Sequence, residues 1–241
     1  MTTTDPLANQ VALITGGGTG IGLAIADDLA RRGVRCALVG RRRHVLDEAV
    51  ERLVTPGLAI AADVADAEAP ESIVAAAHAR LGSIDIVVHA AGVFDKSAVV
   101  DTSPELWDST LALNLTAVMR LTQRAWPDLV SNSGQIVMIS SIAAQQAFEG
   151  NAAYAASKGG LNSLAEVIAL EGRDLGIRVI TLLPAQTATP LWDGKAPAEV
   201  LARMLPPEGV GALTGNLLAS DRAIDFSPIV VRPRRDPWEN G

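Results

Sequence analysis

The sequence predicts an α/β protein, a single domain built on a parallel sheet of about seven strands with helices on both faces. Apolar runs of strand length recur along the chain and most are unbroken rather than alternating, the pattern of strands buried on both sides. Between most of them lie amphipathic stretches long enough for the crossover helices that parallel strands require. With 241 residues, 49% hydrophobic and 20% charged, the chain suffices for one large core, and two independent domains are not expected.

The elements follow in alternation. Residues 11–15 (Val-Ala-Leu-Ile-Thr) form the first strand, and a glycine-rich turn leads into a helix over 20–32. A second strand at 34–39 is followed by a helix at 44–53, and a third at 58–62 by a helix at 70–81. The strand at 84–88 precedes a long helical stretch, 104–130; the strand at 136–139 precedes another, 152–175. The strand at 179–183 is separated from the helix at 206–219 by a stretch in which Pro, Gly, Asp and Lys gather, and residues 185–207 are expected to form a mobile substrate loop carrying a short helix. A last strand falls at 228–231, and 232–241, with two prolines and mixed charge, reads as a loosely held tail.

Bulk chemistry excludes several functions. The net charge is −7 and the densest basic spot is the triplet Arg41 to Arg43, so binding to a nucleic-acid backbone is not expected. The one cysteine, Cys36, sits in an apolar run and has no intrachain partner, which suits a reducing cytoplasm. The start, Met-Thr-Thr-Thr-Asp-Pro, has neither the basic flank nor the apolar core of a signal peptide, and nowhere do eighteen apolar residues run together. A soluble cytoplasmic protein without membrane contact is the expectation, and no metal site is read. His89 reads as a buried, hydrogen-bonded side chain.

The turn after the first strand reads Thr15-Gly16-Gly17-Gly18-Thr19-Gly20-Ile21-Gly22. Residues lacking a β-carbon permit a tight turn and close approach of the backbone to a pyrophosphate, while amides at the helix N-terminus point at the anion. The spacing Gly16-x-x-x-Gly20-x-Gly22 is not Gly-x-Gly-x-x-Gly, and no Gly-Lys-Ser or Gly-Lys-Thr follows, so a phosphate-transferring enzyme is disfavoured. The expected architecture is thus Rossmann-like and doubly wound. Farther on, Tyr154, the only tyrosine, stands four positions before Lys158. On a helix these share a face, and a cation beside a phenol lowers its pKa from about 10 towards the range of a general acid or base.

Together, Thr-Gly-x-x-x-Gly-x-Gly and Tyr-x-x-x-Lys resemble the short-chain dehydrogenase/reductase family over about residues 9–191. Asp63-Val64 after the third strand, Asn114 in a helix and Ser141 closing Ile-Val-Met-Ile-Ser-Ser agree with it. Departures are His89-Ala90-Ala91-Gly92 where the family often has Asn-Asn-Ala-Gly, Pro184-Ala185 in place of Pro-Gly, and a different C-terminal segment.

The resemblance implies reversible hydride transfer between a nicotinamide and a carbonyl or secondary alcohol. Ser141 would hold the substrate oxygen, with Ser140 as the alternative hydroxyl; Tyr154 would be the general acid/base; Lys158 would lower its pKa and hold the ribose; Asn114 would anchor a water. Cofactor contacts fall on Gly16, Gly18, Thr19, Gly20, Ile21, Gly22, Asp63, Val64, Ala91, Gly92, Tyr154, Lys158, Pro184, Thr187 and Thr189; Asp63 has helix capping as its other reading. At the end of the second strand, where a carboxylate would accept from a ribose 2′-hydroxyl, stands Gly40 followed by Arg41 and Arg42. Guanidinium groups pair with a 2′-phosphate, so NADP(H) is favoured, with NAD(H) as the alternative. Phe94, Ala143, Phe148, Leu191 and Trp192 flank the inferred site and suggest a hydrophobic small-molecule substrate. A 3-oxoacyl reductase and a non-catalytic nucleotide-binding regulator are the rival readings. The apolar long helices predict a homodimer or homotetramer.

Overall fold

The computed structural model describes residues 5–239; the readings of the first four residues and of the last two of the tail lie outside the described residues. Seven strands, β1 (Val11–Thr15), β2 (Arg35–Gly40), β3 (Leu58–Ala61), β4 (Ile86–His89), β5 (Gln135–Ile139), β6 (Arg178–Pro184) and β7 (Ile229–Val231), form one sheet in the order β3-β2-β1-β4-β5-β6-β7. Every pairing is parallel. Chain order reverses between β1 and β4, and a parallel doubly wound sheet opens a crevice at the carboxyl ends of its strands there.

The unbroken apolar runs have a direct cause. Val11 and Leu13 of β1 enter one core and Ala12 and Ile14 the other, because successive side chains point to opposite faces. The first core is closed by α3 (Ala69–Leu81), α5 (Ala117–Ser131) and α6 (Ala152–Gly172). The second is closed by α1 (Gly20–Arg31), α2 (Arg43–Arg52) and α8 (Pro207–Leu218). A short α7 (Ala198–Leu201) lies between β6 and α8.

One expected helix differs. Residues 104–130 are not a single α-helix but α4 (Pro104–Leu111) and α5 separated by a π-helical turn, Ala112–Thr116. At its centre Asn114 is fully buried; its Oδ1 accepts from the Val93 amide at 2.9 Å and its Nδ2 donates to the Val93 carbonyl at 3.0 Å and to Ser157 Oγ at 3.1 Å. An amide inside the wall must have its hydrogen bonds met, and the widened turn lets this one reach both neighbouring segments. The other long helix ends three residues early as α, finishing in a 3₁₀ turn, Arg173–Leu175, before Gly176 in the left-handed region.

Candidate active site

The carboxyl ends of β1, β4, β5 and β6 surround a cavity of about 580 Å³. Gly16, Thr19, Gly20, Ile21 and Gly22 line it from the turn between β1 and α1, and Ala91 and Gly92 from the segment after β4. The turn is tight enough that side chains are barred at Gly16 and Gly22. A β-carbon on Gly22 would stand 2.4 Å from the Gly16 carbonyl oxygen, and Gly16 itself has φ of 65° with the Ala91 amide 2.9 Å from where its β-carbon would be. Thr15 ties the two segments, its Oγ1 accepting from the Ala90 and Ala91 amides at 3.1 and 3.2 Å. That hydroxyl supplies a link for which amide side chains are absent at positions 89 and 90.

A second cavity, of about 210 Å³, adjoins the first, sharing Gly16, Thr19, Ala91 and Gly92. Gly18, Arg41, Arg42, Asp63 and Val64 line it. Arg43 is paired with Asp47, Nε to Oδ1 at 2.9 Å, whereas Arg41 and Arg42 are exposed and form no ion pair among the described residues. Asp63 Oδ1 accepts from the Ala65 amide at 3.0 Å, capping the turn there. Two adjoining cavities, a glycine-rich turn at the N-terminus of a twelve-residue helix, and exposed guanidinium groups at the far end suit an anionic ligand held by backbone amides.

On the other wall, Ser141, Tyr154 and Lys158 line the main cavity together with Pro184, Thr187 and Thr189. Ser141 follows β5 in extended backbone, its Oγ accepting from the Ala143 amide at 3.1 Å. Ser140 also lines the cavity, but its hydroxyl lies 3.4 Å from the Lys158 carbonyl and is directed at α6. Tyr154 and Lys158 sit one turn apart on α6, with the ammonium 5.8 Å from the ring centroid. Phe94, Ala143, Phe148, Leu191 and Trp192 line the same cavity. Asn114 does not. It stands behind the wall, holding Val93 against Ser157, and so acts on the cavity through the segment that carries Gly92. Sequence reasoning missed Lys96, Asn151, Gln186, Asp236 and Trp238, all lining residues; Lys96 and Gln186 stand close in sequence to named site residues, Phe94 and Thr187, whereas Asp236 and Trp238 reach the cavity only through the chain's path in three dimensions.

The electrostatics depart from the expectation in one respect. Burial raises the Tyr154 phenol above its ordinary value, and the Ser141 hydroxyl pulls it partly back; the cation does not dominate. Lys158 is itself buried, 5% exposed, and its Nζ donates to the Ile139 carbonyl at 2.8 Å, which directs the charge into the end of β5. Its pKa is lowered by burial to about 8. Tyr154 is half-buried, its ring packed on Phe94 with centroids 5.0 Å apart while it lines the cavity.

His89, at the end of β4, is 3% exposed, hydrogen-bonded through Nε2 to Thr122 Oγ1 at 2.9 Å, and held neutral, its pKa lowered to about 3 by burial. The unfolded chain takes up a proton here below pH 6.5, while the folded one resists until about pH 3. Stability is therefore lost as pH falls through that window, by roughly 3 kcal/mol at about pH 4. Urea midpoints of His89→Asn should fall less steeply with acid than those of the wild type; parallel curves would remove the assignment.

The description "short chain dehydrogenase" belongs to the family model that matches residues 10–199. A rabbit protein (Oryctolagus cuniculus), dehydrogenase/reductase SDR family member 4, is 37% identical over 248 residues, covering 96% of this chain and 95% of its own length. Glycine betaine reductase ATRR of Emericella nidulans is 32% identical over 96% of this chain, which spans only 19% of that longer protein. The crystal structure of a short-chain type dehydrogenase/reductase from Mycobacterium marinum superposes with a TM-score of 0.89 at 26% identity, covering 95% of this chain and 96% of the other.

Proposed function

Because the chain belongs to the short-chain dehydrogenase family, and is an oxidoreductase of alcohol or carbonyl groups with it, we propose that it is an NADP(H)-dependent enzyme for an apolar carbonyl compound and its secondary alcohol. The observation that carries this is the meeting of Ser141, Tyr154 and Lys158 with the glycine cradle around one cavity. The glycine turn together with Lys158 and Thr189 would hold a nicotinamide cofactor, which when bound would supply the hydride chemistry at the carbonyl carbon. Ser141 hydrogen-bonds the substrate oxygen and steadies its developing charge. Tyr154 gives its phenolic proton to that oxygen in reduction and takes it back in oxidation. Lys158 holds positive charge behind the phenol, and Asn114 keeps the Gly92 segment seated against α6.

Preference for the phosphorylated cofactor rests on Arg41 and Arg42, which line the second cavity and form no ion pair among the described residues, and on the lack of a carboxylate after Gly40. A panel of ketones and alcohols read at the nicotinamide absorbance with each cofactor tests the reading. The dissociation constant for NADPH should be at least about tenfold below that for NADH, and Arg41→Ala should close most of that gap, as expected for loss of one guanidinium–phosphate contact. Equal constants in the wild type would remove the cofactor assignment.

A second reading, a 3-oxoacyl reductase acting on a carrier-bound substrate, is favoured by the exposed Arg232, Arg234 and Arg235 beside the cavity mouth. Exposed apolar side chains on α4, α5 and α6, among them Trp107, Met119, Val167 and Leu170, support assembly through these helices. No helix of the described chain is long and apolar enough to cross a membrane.

A further inference from the structure

The chain has four tryptophans, three phenylalanines and one tyrosine. Four of these eight form a continuous file along one wall of the active-site cavity: Tyr154 to Phe94 with centroids 5.0 Å apart, Phe94 to Trp192 at 5.7 Å, and Trp192 to Trp238 at 6.3 Å. Interplanar angles of 58°, 59° and 55° make each a tilted contact of the favourable kind. The last member comes from the C-terminal segment, which no expectation linked to the site.

Several contacts hold that segment in place. β7 pairs with β6 so that Val231 lies opposite Pro184, and the Ala185 amide donates to the Val231 carbonyl at 2.8 Å, so the tail leaves the sheet beside the cavity. Asp236 then closes a turn, its Oδ1 accepting from the Trp238 amide at 2.9 Å, and Pro237 is buried. Arg203, after α7, donates from Nη1 to the Glu239 carbonyl at 2.9 Å. Facing it, the turn Pro190–Trp192 is fastened by Lys195, whose Nζ donates to the Phe94 carbonyl and lies 3.0 Å from Asp95 Oδ1. Two separately tethered segments thus continue the file that starts at the phenol, adding two indole rings beyond Phe94. Trp238 remains 46% exposed, with ring surface left for a ligand.

We propose that Trp238 is a specificity-determining residue, completing with Trp192 and Phe94 an aromatic wall that selects carbonyl compounds bearing a flat, uncharged, apolar group over small aliphatic ones. Apart from the Lys158 cation behind the phenol, the charged side chains lining the cavity are Lys96 and Asp236, one of each sign, so neither an anionic nor a cationic head group is favoured. A planar group lying against the indoles gains contact area that a small alkyl chain cannot.

The inference rests on the oxidoreductase reading, and the test separates the two. Trp238→Ala and Trp238→Phe holoenzymes are compared with the wild type on 2-acetylnaphthalene and on butanone, in steady-state kinetics and by calorimetric titration of 2-acetylnaphthalene. In Trp238→Ala both KM and Kd for the aryl ketone should rise about tenfold, with kcat and the butanone kcat/KM within about twofold of wild type; Trp238→Phe should restore most of the loss. Unchanged aryl-ketone KM and Kd in Trp238→Ala, or a wild type that does not bind the aryl ketone, overturns the proposal. If the wild type binds the aryl ketone with the expected Trp238 dependence yet turns over no carbonyl compound, the oxidoreductase reading is what fails and the wall stands.

Discussion

Tyr154→Phe is expected to lower kcat by roughly 10²–10⁴-fold, the range for a positioned general acid/base, with little change in cofactor affinity. The substitution removes one oxygen. The ring keeps its place against Phe94 at 5.0 Å, and the glycine cradle, on a different segment, is untouched. What disappears is the only phenol in the chain, at the point where the Ser141 hydroxyl faces the same space. Because burial holds the phenol above its ordinary value, the proton is present throughout the neutral range. Reduction in the wild type should therefore be flat with pH up to the alkaline limb, and oxidation should climb as pH rises, since it needs the phenolate. The variant should lose that climb along with its rate. Stopped-flow reduction at several pH values, with separate fluorescence titration of the cofactor, would decide it, and a variant within threefold of wild type would exclude Tyr154 from the proton transfer.

The same residue shows how far a sequence can be read. Tyr154 and Lys158 share a helix, so a four-residue spacing fixes their relation, and the glycine turn is legible because steric exclusion acts on near neighbours in the chain. That the sheet is parallel and covered on both faces was legible for a similar reason, since apolar runs too continuous for a half-exposed strand imply helices on both sides. Where a side chain aims its charge is another matter. Lys158 reaches the Ile139 carbonyl nineteen residues away, so its effect on the phenol depends on β5 as much as on its own helix. Asn114 works through Val93 and Ser157, and the π turn that admits it leaves no mark on hydrophobic periodicity. Trp238 is 84 residues beyond Tyr154 and meets the site only because β7 pairs with β6. Contacts made through topology rather than spacing are the ones the sequence conceals.

Lys158→Met separates what this residue does for catalysis from what it costs the fold. The ammonium is almost wholly enclosed with one carbonyl as partner, and its pKa is lowered from 10.5 to about 8 by desolvation. A cation whose folded value is depressed destabilises the fold wherever it must be charged. Below pH 8 the full cost applies, roughly 3 kcal/mol for a shift of this size; between pH 8 and 10.5 the folded protein has given up the proton that the unfolded chain still holds, so this contribution to stability rises with pH. Methionine fills a similar volume with no charge to desolvate. The variant should therefore be more stable than the wild type at pH 7, with the difference shrinking towards pH 10.5 as the wild-type lysine becomes neutral in both states. Comparing the two chains pH by pH cancels other groups, including Cys36, whose thiol burial pushes up to about 12 and which works in the opposite sense above pH 9. Turnover should fall by at least about a hundredfold and cofactor affinity should fall with it, since the positive charge behind the phenol is gone. Urea denaturation of both proteins from pH 7 to 10.5 measures the first effect and steady-state kinetics the second. A less stable variant at pH 7 would mean that the ammonium is better solvated than its burial implies, and a variant with full turnover would place the charge outside the chemistry.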